Sequence, residues 1–287
     1  MIIWLASYPK SGNTWLRAFI SSILYSEKGT MNKNLWAKIQ QFPTVKNFDG
    51  LISDQDIFYL KKKEHIHKLF EQLITAQDKL NLDNKIKFLK THFLNCKIDK
   101  YNFTDQNNTL GTIHVVRDPR NVISSLKNHY SLNDYKEASE FLFNEQKWIV
   151  EEEQEQLLYA PTLLSSWGTH YNMWKQAKKN YLLIKYENLI NNPFEEFNKL
   201  KTYIEDLLKL NIDMKVFQNA IESTSFDKLK KMEDRNEFFE NTLGKDNKKT
   251  TFFKLGKNNN WQDLLDKDLA DMIEKKYFKE MKELEYL

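Results

Sequence analysis

Four short stretches of this chain combine residue types that can hold an anion and move a proton. Tyr8-Pro9-Lys10-Ser11-Gly12-Asn13-Thr14-Trp15 gathers a cation, three small polar side chains and a glycine in one run. Where a small residue leads into a helix, backbone N–H groups can approach a phosphate and the helix dipole adds to the attraction. Trp15 adds a flat face on which a purine can stack. Arg117 and, eight positions on, Ser125 pair a guanidinium fork with a hydroxyl, a second anion grip. Lys90-Thr91-His92 sets a fixed cation two residues before a base that titrates near neutrality. Tyr186-Glu187 adds an aromatic ring and a carboxylate. Taken singly, the first run also reads as a capped strand–helix connection, and His92 as a core or capping histidine.

The elements that must position these residues follow from periodicity. Met1–Ala6 is apolar and stops at Ser7, which predicts a buried first strand, too short to span a membrane. Residues 14–24 carry apolar side chains at helical spacing. Further strands are predicted at 85–89, 112–116 and 181–186, with helices at 54–80, from 117 onward, at 134–155, at 166–179 and from about Pro193. Residues 240–262, rich in Lys, Asn and Thr, are expected to form a surface loop and the rest to be helical. Strands alternating with helices imply a parallel sheet in an α/β sandwich, here as one domain over 1–287. In such sheets ligands bind beyond the carboxyl ends of the strands, and each stretch singled out above closes a predicted strand.

Composition excludes several alternatives. Lys and Arg number 43 against 40 Asp and Glu, a net charge of +3, which argues against a nucleic-acid binder held by bulk charge. The 41% hydrophobic content excludes overall disorder. None of the seven glycines stands in a GxGxxG or GxxxxGK[ST] loop, which removes the dinucleotide-binding oxidoreductase and ordinary ATPase readings. A single cysteine, Cys96, cannot form an internal disulfide and fits a reducing, cytoplasmic setting. No metal site is expected: His65 and His67 stand at i, i+2 among lysines, on different sides of a helix. His114 reads as a packed strand residue, and Trp167, His170 and Trp174 as a core stripe.

Together, in chain order, these stretches resemble the PAPS-dependent sulfotransferases. Tyr8–Trp15 is similar to that family's YPKSGTTW loop, with Asn13 for the first threonine, and Lys90-Thr91-His92 to its KTH. Arg117–Ser125 resembles its 3′-phosphate segment, Tyr186-Glu187-Asn188-Leu189 its YEDL, and Thr224-Ser225-Phe226 its TSF. Phe252–Gly256 with Trp261 keeps the glycine-to-tryptophan spacing of RKGxxGDW, but Lys254 replaces the arginine and Leu255 the lysine, with Lys257 nearby.

The resemblance implies a three-layer sandwich with a central parallel sheet flanked by helices and a P-loop-like strand-loop-helix. It also implies transfer of a sulfuryl group from PAPS, leaving PAP, to a hydroxyl or amine of a small-molecule or glycan acceptor. His92 would be the catalytic base, with Lys10 and Lys90 stabilising charge. Lys10, Ser11, Gly12, Asn13 and Thr14 would bind the 5′ side of the cofactor, and Trp15, in the same loop, would help enclose adenine. Arg117 and Ser125 would hold its 3′-phosphate, Tyr186, Thr224 and Phe226 would border adenine, and Lys254 and Gly256 would belong to a last, phosphate-binding segment. No metal, nucleic acid or membrane is called for. A non-catalytic PAP- or PAPS-binding module and a nucleotide kinase on a related fold are the rival readings. Acceptor recognition would fall in 25–60, 130–165 and 236–250, where Phe42, Phe48, Tyr130, Trp148, Tyr159 and Phe239 supply aromatics.

Overall fold

A computed structural model describes residues 1–53, 66–150, 160–177, 179–238, 251–254, 256 and 259–287. The first strand, β1 (Ile2–Ser7), is buried along its whole length, as a parallel strand covered on both faces should be. It ends in the Tyr8–Gly12 turn, from which α1 (Asn13–Tyr25) departs. A five-stranded sheet then assembles from β2 (Gln40–Gln41), β3 (Lys87–Thr91), β1, β6 (Thr109–Val116) and β9 (Tyr181–Lys185), in that order. β3 lies parallel to both β1 and β2; Leu5 stands opposite Lys90 and Ala6 opposite Thr91. Two antiparallel ribbons, β4 (Lys97–Ile98) with β5 (Tyr101–Asn102) and β7 (Trp148–Ile149) with β8 (Thr162–Leu163), stand apart from this sheet. The expected α/β architecture with a central parallel sheet is thus present.

Helices occupy the connections: α2 (Ile66–Asn81), α3 (Pro119–His129), α4 (Tyr135–Phe143), α5 (Trp167–Lys175), α6 (Tyr186–Asn191) and α7 (Pro193–Leu208). After α7 come α8 (Met214–Ser223), α9 (Phe226–Asp234), α10 (Trp261–Leu264), α11 (Lys267–Lys276) and α12 (Phe278–Glu283). α3 shows why these segments start where they do. The Asp118 side chain accepts from Arg120 N at its N-terminus, and Pro119 occupies the first turn, where its missing N–H costs nothing.

Residue contacts divide the chain into two compact units. The first comprises Met1–Tyr8, Gln40–His114 and Asn144–Leu182. Its core packs Trp4 against Phe42, Phe103 and Trp174, with Trp4 Nε1 donating to Thr109 Oγ1 at 3.0 Å. The second comprises Pro9–Ile39, Val115–Phe143 and Leu183–Leu287. One of its clusters joins Leu35 and Trp36 to Leu229, Phe238 and Phe253.

Several expectations are corrected. The helix expected over 134–155 ends at Phe143; Trp148–Ile149 instead pairs with Thr162–Leu163, because Asn144 and Lys147 turn the chain. Residues 166–179 end their helix at Lys175, and Tyr186 opens α6 rather than closing the preceding strand. Trp261, placed in a loop, begins α10, capped by the Asn260 side chain. The start of the helix expected at 54–80, the end of that at 134–155, and most of the 240–262 loop lie outside the described residues.

Candidate active site

In the second unit, the turn after β1 is shaped for close approach. Gly12 has φ +106°, and a Cβ there would collide with the ring of Tyr186. Its carbonyl starts α1 by accepting from Trp15 N at 3.1 Å and Leu16 N at 3.3 Å. Lys10 also lies in the left-handed region, at φ +66°. Its Nζ stands 3.5 Å from the centroid of Phe252. Burial, aided by the Arg117 guanidinium, pulls the Lys10 pKa down to about 7, against an opposing influence from Glu233.

The rest of the grip converges on Arg117. Its Nη1 donates to Lys10 O at 3.1 Å and reaches Ser125 Oγ at 3.4 Å. Its guanidinium carbon lies 4.2 Å from the Tyr186 ring centroid, and that ring meets Trp15 edge-on at 6.1 Å. Ser11 Oγ, Trp15 Nε1 and Arg117 Nε are buried with no hydrogen-bond partner among the described residues. Buried polar atoms are nearly always paired, so three orphans around one loop mark the place of a polar ligand. Asn13 and Thr14 are buried on the first turn of α1 beside them.

The remaining residues of this side differ in role. Phe226 opens α9, and a Cβ at Gly256 would lie 2.6 Å from Phe226 Cε1, so ring and loop touch directly. Lys254 is exposed and donates from Nζ to Asn128 Oδ1 at 3.2 Å. Thr224 is fully buried and directs its hydroxyl to Ala220 O at 2.7 Å, closing the end of α8. Leu255 and Lys257, singled out as the altered cation positions, lie outside the described residues.

In the first unit, β3 carries Lys90 and delivers His92 just past its end. His92 Nδ1 lies 2.7 Å from the carbonyl oxygen of Ser7 and 3.2 Å from Ser7 Oγ. A carbonyl can only accept, so Nδ1 carries a proton, and in the neutral ring the lone pair is then on Nε2. Lys90 O accepts from Phe42 N at 2.8 Å, which fastens the end of β3 to the chain leaving β2.

Asn259 and Glu233, which sequence reading missed, and Glu187, which it noted only as a strand-end carboxylate, hold these groups in place. Asn259 donates to Ser125 Oγ at 2.9 Å and Asn121 O at 3.0 Å, while its Oδ1 accepts from Ser124 Oγ at 2.7 Å. The Glu233 carboxylate accepts from Phe252 N and Phe253 N, fixing the aromatic that meets Lys10. Glu187 Oε1 accepts from Asp118 N and Oε2 from the Tyr286 hydroxyl, both at 3.0 Å. Single Asn and Glu residues carry no local spacing signal that could have revealed these ties. Of the aromatics proposed for the acceptor, Phe42 and Phe48 are core residues, Trp148 packs against that core, and Tyr130 stacks on Phe141. Tyr159 and Phe239 lie outside the described residues, as does His65. Among the described residues no group of three or more His, Cys, Asp or Glu is placed to hold a metal ion.

Comparison with known proteins adds a family match, described as the sulfotransferase domain, over residues 2–285. Sulfotransferase 1B1 of Canis lupus familiaris is 23% identical over 282 residues, spanning 97% of this chain and 83% of that protein. The crystal structure of mouse sulfotransferase SULT7A1 complexed with PAP gives a TM-score of 0.58 at 18% identity, covering 98% of this chain and 84% of that one. Retinol dehydratase in a complex with retinol and PAP gives 0.57 at 18% identity, covering 97% and 80%. At such identities the structural likeness shows a shared fold.

Proposed function

The chain belongs to the sulfotransferase domain family, and on that premise we propose a PAPS-dependent transfer of a sulfuryl group to a hydroxyl or amine. The acceptor is a small molecule or glycan, the whole domain 1–287 carries the reaction, and His92 is the general base. PAPS supplies the sulfuryl group in activated form. Ser11 Oγ and the N–H groups opening α1 hold the 5′ side, with Asn13 and Thr14 beside them. Arg117 and Ser125 hold the 3′-phosphate, and the guanidinium is pre-aimed by its bond to Lys10 O. Trp15, Tyr186 and Phe226 border the base, while Thr224 supports it by ending α8. Lys254 and Gly256 belong to the last cofactor-binding segment, Lys254 as its cation toward phosphate. Lys10 and Lys90 balance charge that builds on the sulfuryl oxygens and the departing phosphate.

The observation that carries the catalytic part is the His92 tautomer. With Nδ1 committed to the Ser7 carbonyl, Nε2 is the ring atom that would take the acceptor proton in the neutral imidazole. A positioned base of this kind contributes roughly 10²–10⁴-fold. The orphaned Ser11 and Arg117 donors support the cofactor assignment independently. Among the described residues no helix is long and apolar enough to cross a membrane. Cys96 is a free thiol whose pKa burial pushes up to about 12; the reducing, cytoplasmic setting stays part of the proposal.

The test is a PAPS transfer assay over phenols, alcohols, amines and sugars, run beside PAP titration. The reading expects turnover with at least one acceptor and its loss in His92→Ala, with PAP affinity retained. PAP binding without turnover on any acceptor would instead make the chain a nucleotide-binding module.

A further inference from the structure

Helix α5 presents two ring N–H groups four residues apart, hence on one face. His170 Nε2 lies 3.2 Å from His92 O, and Trp174 Nε1 lies 2.8 Å from Phe93 O. Two consecutive carbonyls just beyond β3, where ladder pairing has ended, are therefore held by side chains of a single helix. The neighbouring amides are held as well: Phe93 N donates to Thr91 Oγ1 at 3.0 Å and Leu94 N to Leu163 O at 2.7 Å. The backbone on either side of His92 has little freedom left.

His170 is built to stay in this role. Because a carbonyl only accepts, its Nε2 carries the proton. Burial lowers its pKa to about 3, so the ring stays neutral and the donor tautomer persists. Tyr8 meets the ring edge-on at 5.6 Å, and His114, itself bonded to the Tyr181 hydroxyl at 2.8 Å, stands 6.2 Å away. Backbone bonding from His170 N to Ser166 O at 2.9 Å seats the residue in the first turn of α5.

We propose that His170 is a positioning residue for His92, with Trp174 as its second hold: by fixing the His92 carbonyl it keeps the imidazole on Ser7 O and the lone pair on Nε2. This rests on His92 acting as the base. A slack backbone at position 92 would let the ring leave Ser7 and interchange tautomers, and misplacement by about 1 Å can cost on the order of 100-fold in rate.

The readout is the side-chain ¹⁵N–¹H spectrum of His92 in the full chain at neutral pH, with PAP titration as control. The unmodified protein should show a protonated, carbonyl-bonded Nδ1. His170→Leu should lose that resonance while PAP affinity is unchanged, and His170→Gln, whose amide N–H replaces Nε2–H, should restore it. An unchanged His92 signal in folded His170→Leu overturns the proposal, and so does equal loss in the Gln and Leu variants. If the Leu variant does not fold, the unmodified chain decides: a His170 Nε2 proton protected from solvent exchange supports the bond, and a rapidly exchanging one refutes it. Because none of these signals needs turnover, failure of the base assignment in His92→Ala stays separable from failure here.

Discussion

Arg117 Nη1 donates to the carbonyl oxygen of Lys10 at 3.1 Å, so the guanidinium after β6 also braces the turn after β1. Lys10 has φ +66°, a conformation L-residues seldom adopt, and the bond from Arg117 helps to hold it there. One side chain thus shapes the Tyr8–Gly12 turn and, under the proposed function, also reaches for the 3′-phosphate.

Truncation of Arg117 should therefore damage both ends of the nucleotide site. Removing one member of a buried, charge-assisted contact costs about 2 kcal/mol or more, so Arg117→Ala should weaken PAP binding by about 30-fold or more in calorimetric titration. Arg117→Lys should rescue little, because an ammonium can take over the Nη1 contacts to Lys10 O and Ser125 Oγ but has no planar fork whose unpaired Nε–H is left for a phosphate. ATP binding as tight as PAP binding in the unmodified protein would contradict the 3′-phosphate assignment.

Lys10 should make cofactor binding pH-dependent. Its pKa is about 7 in the fold against 10.5 in the unfolded chain. Between those values the unfolded chain binds more protons, so this residue's contribution to stability improves as pH rises through the window and is least favourable below it. Binding runs the other way: phosphate favours the ammonium, so PAP affinity should fall as pH climbs past 7 and binding at pH 8 should take up a proton. Calorimetry at pH 8 in buffers of different ionisation enthalpy measures that uptake. Lys10→Met should abolish it, and an uptake unchanged by that substitution would refute the assignment.

Gly12→Ala should be poorly tolerated. The new Cβ meets Tyr186, and φ +106° is strained for any residue with a side chain. A cost of roughly 1–3 kcal/mol is expected, together with weaker PAP binding as Tyr186 is displaced from Arg117. Thermal unfolding with and without PAP tests both parts; wild-type behaviour in each would show that the turn has room to spare.

Tyr286→Phe removes a hydroxyl that holds Glu187, the carboxylate that also accepts from Asp118 N next to Arg117. Burial raises the Glu187 pKa above 4.5, so the fold binds its proton more tightly than the unfolded chain does. That contribution is present at low pH and is lost as pH rises through the raised value. Losing a donor to the ionised form should cost about 1.5–3 kcal/mol at pH 7.5 and less at pH 5. Urea unfolding at the two pH values would expose the difference, and equal losses would argue that the charge on Glu187 in the fold does not change between them.

Much of the fold was legible along the chain. The apolar run Ile2–Ala6 reads as a buried strand and the spacing in 14–24 as a helix; both form, the helix buried nearly all round rather than on one face. Gln40–Gln41 was not legible: two polar residues become a strand because β3 offers free backbone groups, not because of their own preference. Likewise Trp148–Ile149 left its expected helix for a partner at Thr162–Leu163. His170 and Trp174 were visible as a core stripe, and their rings are indeed buried, but nothing in helical spacing says that their N–H groups meet the carbonyls of His92 and Phe93.

By itself the sequence determined which side chains end each strand, and hence the chemistry on offer: cations and small donors for an anion, an imidazole for a proton. Strand and helix periods are local, and so is the glycine-bearing turn, which is why these could be read from neighbours in the chain. Only the tertiary structure decided how those groups are tuned. The tautomer of His92, the lowered pKa of Lys10, the aim of Arg117 and the hold of Asn259 on Ser125 all depend on groups that the chain separates by 85 positions or more. Hydrogen bonding and desolvation act through space and not along the sequence, so they appear only once the chain has closed on itself.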